Sequence, residues 1–371
     1  MIKVLVVDDS ALMRKHLVTL LESDGGFQVR VARNGVEALS LLNSFDPDVI
    51  TLDINMPEMD GITCLSRIMV EKPKPVVMVS SLTEKGAEAT LQALSLGAID
   101  YVHKPDGTIS LSIERVHREL LAKVKGAARA RVRVGMGLRD RLIQDRSRIS
   151  KQGELGRLGS FSAQSAGELG LVLIGVSTGG PGTLEEILPL LPTDFPWAVL
   201  VAQHMPGSFT NVFAKRMDSV CAMPVQEVSR QSPIEPGNIY IAKGDADLVV
   251  MGRGKSLLAV PVPSSQQHLW HPSVTRLVTS AMESVAADRL IGVLLTGMGD
   301  DGAAAMAELR RRGGRTIAQD EATSIVFGMP SELIRLGGAA VVLPSHAIAR
   351  EITTWLSPST LTNRSRPYGA R

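Results

Sequence analysis

The chain reads as α/β, with two parallel-sheet units in series. Three observations predict this. Short apolar runs alternate with stretches of helical periodicity, the pattern left by strands buried on both faces and the helices that cover them. Many of the runs end in polar residues with chemical uses, as ligand-binding strand ends do in such sheets. The alternation breaks once, over 123–168, where Arg, Gly and Ser dominate.

A length of 371 residues suits two or three domains, and 44% hydrophobic content supports real cores. The net charge of +2 carries no global signal for binding a polyanion. The Met1-Ile2-Lys3 start runs straight into a strand with no signal-peptide pattern, and no apolar run is long enough to cross a bilayer. Cys64 and Cys221 lie far apart and suggest neither a disulfide framework nor a metal site. A cytoplasmic protein with reduced thiols is expected.

In the first unit, runs at 4–7, 28–31, 49–52, 76–79 and 99–102 predict five strands. Helical patterns fall at about 11–22, 35–43, 62–70, 86–96 and 110–125. Five β-α repeats predict a doubly wound five-stranded parallel sheet with its site beyond the carboxyl ends of the strands. Asp8 and Asp9 follow the first strand and Asp53 the third. Ser80 and Ser81 follow the fourth, and Lys104, before Pro105, the fifth. Carboxylates gathered at one edge repel unless a hard dication joins them, and Mg²⁺ suits such oxygen ligands. A nearby Lys would stabilise a phosphoryl group carried by one carboxylate.

These positions, in VVDDSALMR (6–14), TLDINMPEMDG (51–61), MVSS (78–81) and DYVHKP (100–105), resemble a response-regulator receiver domain. The resemblance implies Asp53 as phospho-acceptor. It implies Mg²⁺ held by Asp8, Asp9, Asp53 and the Asn55 backbone carbonyl. Ser80 and Lys104 would contact the phosphoryl group, and Tyr101 would be the switch aromatic.

The receiver is expected over 1–122, followed by a basic Gly/Ser/Arg linker over 123–168. The Arg run lacks interleaved aromatics and any recognised DNA-binding element, so a solvated linker extending the last helix is the expectation and no nucleic-acid partner is expected.

The second unit is expected over 169–357, with a polar tail, 358–371, beyond it. It opens with LGLVLIGVSTGGPGTLEEILPLL (169–191), a buried strand, a Gly-rich turn holding Ser177, and Pro181 at the start of a helix. Free N–H groups at that helix start favour an oxyanion. By itself this turn fits a nucleophile, a phosphate site or a plain tight turn, and the match to G-x-S-x-G is weak. A strand at 197–202 follows, then His204, a helix at about 208–219, and short strands near 225–228, 238–241, 247–251 and 257–260. A helix at 273–285, a strand at 291–295, Asp300-Asp301 and a helix at 303–312 come next. Strands at 316–318 and 340–343 and a helix at 347–356 close a Rossmann-like, mostly parallel α/β unit.

Ser177, His204 and the Asp300-Asp301 pair thus follow strands whose ends share one sheet edge. A serine nucleophile needs an imidazole to take its proton and a carboxylate to orient that imidazole. The order Ser…His…Asp argues against an α/β-hydrolase, which runs Ser…Asp…His.

GVSTGGPGTL (175–184), AQHMPGSFT (202–210), LLTGMGDDGA (294–303) and AQDEATSIVFGMPSEL (318–333) resemble the catalytic domain of the chemotaxis methylesterases, the CheB family. The resemblance implies Ser177 as nucleophile, His204 as general base and Asp301, rather than Asp300, as orienting acid. Thr178 and Met298 would shape the site, with the Met298 N–H as an oxyanion donor and no cofactor there. It implies a protein-glutamate methylesterase and glutamine deamidase. Its substrate would be methyl-accepting chemoreceptors, its phosphate donor a chemotaxis-type histidine kinase, and it would not insert in a membrane. In the unphosphorylated state the receiver would cover the Ser177 edge.

One stretch departs: HLWHPSVT (268–275) stands where chemotaxis members often carry R-H-R-P-S-V-D. With no third ligand in view, His268 and His271 are read as surface or substrate-facing rather than as a metal pair. Other function classes remain: a phosphorylation-switched binding module with a non-catalytic esterase-like domain, a generic serine esterase, and remotely a DNA-binding regulator.

Overall fold

The computed structural model describes residues 1–80, 83–104, 112–130, 169–254 and 256–356. Ser81, Pro105, most of the expected linker (131–168) and the tail (357–371) lie outside the described residues. The chain divides into two compact units, Met1–Met136 and Gly137–Arg371. No described helix is long and apolar enough to cross a membrane.

The first unit alternates β1 (Ile2–Val7), α1 (Ala11–Ser23), β2 (Phe27–Ala32), α2 (Gly35–Phe45), β3 (Val49–Asp53), α3 (Gly61–Glu71), β4 (Val76–Ser80), α4 (Glu84–Ser95), β5 (Asp100–His103) and α5 (Ser112–Ala128). Its five strands pair in parallel in the order β2-β1-β3-β4-β5. Strands β3 and β4 are buried along their whole length, which is why they read as unbroken apolar runs. Ser10, Asn34, Asp60 and Thr83 cap the starts of α1 to α4 by accepting a backbone N–H. Helix α5 runs to Ala128, past the boundary expected at 122, because Val124 and Ala127 continue its buried stripe.

The second unit contains β6 (Leu171–Val176), β7 (Ala198–Gln203), β8 (Val225–Val228), β9 (Ser232–Pro233), β10 (Ile239–Ala242), β11 (Ala246–Arg253), β12 (Ser256–Pro263), β13 (Leu290–Leu294), β14 (Arg315–Gln319) and β15 (Val341–Leu343). Seven of these form one parallel sheet, β15-β14-β13-β6-β7-β10-β8. Strands β11, β12 and β9 form a separate antiparallel sheet. Helices Gly180–Ile187, Gly207–Val220, Val274–Ser284, Ala303–Arg311, Met329–Arg335 and Ser345–Leu356 belong to this unit. One core joins the sheets to the helix Val274–Ser284, with Leu200, Tyr240, Leu248, Leu277 and Leu294 buried together. Strand β6 sits between β13 and β7, so chain connections leave it in both directions and a crevice opens at its carboxyl end.

Candidate active site

Strand β6 ends at Val176 and delivers Ser177 to that crevice. The turn closes through Gly179 at φ 76°, left-handed backbone that a side chain would strain. Pro181 then lies in the first turn of the helix Gly180–Ile187. The Ser177 N–H donates to the Thr296 carbonyl at 3.0 Å, and the Ser177 carbonyl accepts from Gly180 N–H at 2.8 Å. A β-carbon at Gly297 would lie 2.7 Å from Ser177 Cβ, so only glycine lets the loop after β13 come this close. Gln203, at the end of β7, donates Nε2 to the carbonyls of Ser177 (3.1 Å) and His204 (3.0 Å), joining the two turns.

Thr296 is fully buried and ties several segments together. Its hydroxyl donates to the Thr178 carbonyl at 2.9 Å and accepts the N–H groups of Ile325 (3.1 Å) and Val326 (3.0 Å). Its own N–H donates to Gln319 Oε1 at 2.7 Å. Thr178 is buried; Met298 is half-buried, and among the described residues nothing accepts its backbone N–H.

His204 follows β7, and its Nε2 lies 2.9 Å from Asp301 Oδ2. Both side chains are almost wholly buried. Asp301 also accepts from Val274 N–H (2.7 Å), Thr275 N–H (3.0 Å), Thr275 Oγ1 (2.7 Å) and Ser273 Oγ (3.2 Å). Burial would push the Asp301 carboxyl up, but His204, Thr275 and the Val274 N–H outweigh it and hold the carboxyl well below the usual carboxylate range. An ionised acceptor on Nε2 puts the imidazole proton there and leaves Nδ1 as the basic nitrogen. Nδ1 is buried and has no hydrogen-bond partner. Ser177 is half-buried, and its Oγ bonds no described residue; in resting sites such hydrogen bonds often form only once substrate binds. Asp300 is exposed and takes no part.

Sequence reasoning missed several residues here. The Trp270 indole stacks on the His204 ring, with 5.9 Å between centroids and 14° between planes. His271, read from sequence as surface or substrate-facing, is instead largely buried, and its Nδ1 bonds Asp247 Oδ1 at 2.8 Å. The reason is chemical: Asp247 is a fully buried carboxylate that needs donors, and His271 is one of them. A repeating chemical pattern could not flag this pair, because its members lie in different elements.

In the first unit, the carboxylates of Asp8, Asp9 and Asp53 converge, with one oxygen from each lying within 4.8 Å of the others. Asp8 and Asp53 are buried and Asp9 is exposed. Lys104 Nζ lies 3.0 Å from Asp8 Oδ2 and 2.7 Å from Asp53 Oδ2. Burial raises the Asp53 pKa, Lys104 opposes the rise, and the neighbouring Asp8 adds to it. Three carboxylates against one ammonium leave uncompensated negative charge, a donor set that fits a hard dication. Ser80 is buried and donates Oγ to the Gly86 carbonyl at 3.3 Å. The Asn55 N–H lies 3.4 Å from Asp53 Oδ1. Tyr101 is buried, its carbonyl accepting from Lys123 Nζ at 2.7 Å.

Two family models match. CheB methylesterase covers residues 172–352, and the response regulator receiver domain covers residues 4–113. A protein-glutamate methylesterase/protein-glutamine glutaminase 3 of Rhodospirillum rubrum is 63% identical over 96% of this chain and 97% of its own length. A protein-glutamate methylesterase/protein-glutamine glutaminase 2 of Rhodopseudomonas palustris is 51% identical over 96% of this chain and 98% of its own. A protein of the same name from Caldanaerobacter subterraneus, without a number, is 46% identical over 94% and 95%. With a receiver domain ahead of a methylesterase domain, and identity of this degree along almost its whole length, the chain belongs to the CheB methylesterase family.

Proposed function

We propose that this chain is a phosphorylation-controlled protein-glutamate methylesterase and protein-glutamine glutaminase. The buried His204–Asp301 couple, at the sheet edge where β6 delivers Ser177, carries the reading. Its full-length similarity to proteins of that name supports it.

Ser177 Oγ attacks the carbonyl carbon of a glutamate methyl ester and passes its proton to His204 Nδ1. Asp301, bonded to Nε2, orients the imidazole and stabilises the imidazolium that forms. The oxyanion is met by the Met298 N–H and by the uncapped start of the helix Gly180–Ile187. Collapse of the intermediate expels methoxide, which takes the His204 proton and leaves as methanol. Water then attacks the acyl-enzyme, again giving a proton to Nδ1; the bond to Ser177 Oγ breaks, Oγ takes that proton back, and the receptor keeps a free glutamate side chain. With a glutamine amide the same cycle releases ammonia.

In the receiver, Asp53 accepts the phosphoryl group, Lys104 pairs with it and the Ser80 hydroxyl bonds it. Asp8, Asp9, Asp53 and the Asn55 carbonyl would hold a Mg²⁺, which supplies positive charge to the transferring phosphoryl oxygens. Tyr101 reports the change, and phosphorylation shifts the population toward the active state. The substrate is a methylated chemoreceptor, the donor a chemotaxis-type histidine kinase, and the setting the cytoplasm.

Methanol release from methylated receptor membranes tests this, with and without a phosphoryl donor, for wild type, Ser177→Ala and Asp53→Ala. Release should need Ser177 and rise with the donor only when Asp53 is present. A wild type that is phosphorylated yet releases nothing overturns the reading.

A further inference from the structure

Asp247 is the second residue of β11 in the small antiparallel sheet, and no step above uses it. Its side chain is fully buried. Burial alone would push its carboxyl up, but His271, the Ser273 N–H and Arg276 outweigh burial and hold it at about 2. It is therefore an interior anion at neutral pH.

Its partners all belong to one segment, 265–276. Oδ1 accepts from His271 Nδ1 (2.8 Å) and from the Ser273 N–H (2.7 Å). Oδ2 accepts from Arg276 Nη1 (2.7 Å) and from the Ser265 N–H (3.3 Å). The same segment holds the catalytic pair from its other side. Ser273, Val274 and Thr275 supply the donors to Asp301 besides His204. Trp270 lies against the His204 ring.

A buried carboxylate is a poor choice for stability alone, because an apolar group of similar volume often serves as well or better. What it does supply is direction: donors from both ends of the segment must meet the two oxygens of one carboxylate. We infer that Asp247 is a positioning residue for the hydrolytic reaction. It fastens residues 265–276 so that Asp301 sits on His204 Nε2 and Trp270 stays against the imidazole. The inference rests on Ser177, His204 and Asp301 forming the hydrolytic centre. Among the described residues the titratable or charged side chains bonded to Asp247 are His271 and Arg276; the one bonded to Asp301 is His204.

The test uses the full chain and two readouts: the rate at which a fluorophosphonate probe labels Ser177, and methanol release from methylated receptor. Asp247→Asn keeps the shape but sets an amide against Arg276. It should slow labelling about tenfold and lower kcat alike, with KM unchanged. Per folded molecule the loss should persist, with kcat falling and KM holding, a split that a merely structural role does not give. Arg276→Met, a milder cut at the same anchor, should move both readouts the same way by less. Wild-type labelling in Asp247→Asn overturns the inference. So does a loss that only tracks the folded fraction. The probe needs no receptor, so failure of the receptor-substrate reading does not alter this result.

Discussion

His204 turns Nε2, not Nδ1, toward Asp301, at 2.9 Å. The basic nitrogen is thereby fixed as Nδ1. In Asp301→Asn the amide can offer an N–H to Nε2, which favours the tautomer with its proton on Nδ1, unable to accept from Ser177. We expect kcat to fall about 10³- to 10⁴-fold while the fold persists. Steady-state methanol release with a thermal melt alongside checks this, and a variant keeping a tenth of the activity would remove Asp301 from the orienting role.

The same carboxylates shape acid stability. The folded-state pKa values of Asp301 and Asp247 are lowered, Asp247 to about 2. Each contributes stability that is fully present above the unfolded value near ~3.9 and is lost as pH falls through the folded one. Urea unfolding of wild type should therefore weaken from about pH 4 downward. Asp247→Asn should start less stable at neutral pH and lose less over that range. Equal acid sensitivity in both proteins would contradict the assignment.

Asp53 has the opposite sign. Its folded-state pKa is raised, chiefly by burial, so the protonated form is favoured on folding. That contribution is present below the unfolded value and disappears as pH rises through the folded one, so ionised Asp53 weakens the receiver at neutral pH. Asp53→Asn should raise the receiver's melting midpoint by a few degrees at pH 7 and abolish the response to phosphoryl donors. Mg²⁺ should raise the wild-type midpoint and have less effect on the variant. A midpoint that falls in Asp53→Asn would show that Lys104 outweighs the burial.

A backbone contact braces Asp53. A β-carbon at Gly61 would lie 2.0 Å from the Asp53 carbonyl oxygen. Gly61→Ala must push α3 off the end of β3, at a cost of about 1–3 kcal/mol in chemical unfolding. Phosphorylation at Asp53 should be slowed with it, as read by a radiolabelled donor.

Much of this was legible because buried parallel strands announce themselves as apolar runs, and Asp8, Asp53, Ser177 and His204 follow such runs directly. Asp301 was harder, since several residues separate it from β13 and only the motif chose it over Asp300. Strand β9 has two residues, too few for any period to show. Helix Met329–Arg335 has seven residues, too few for its period to stand out, and Gly328 gives it no side-chain cap, so Pro330 in its first turn is the clearest start signal it carries. Asp247 sits near the start of β11 as an ordinary polar residue. Its meaning comes from donors on another segment, and such long-range pairing leaves no local trace.

Thr296 carries a kinetic consequence. It holds the Ser177 turn by its carbonyl and Thr178, Ile325 and Val326 by its hydroxyl. No one of these strands of the knot can loosen without stripping a buried partner from the others. The amide hydrogens of Ser177, Thr296, Ile325 and Val326 should therefore trade with deuterium at one shared, slow rate. The Ser177 turn would then breathe only as a unit with the 325–326 stretch, however mobile a bound substrate is.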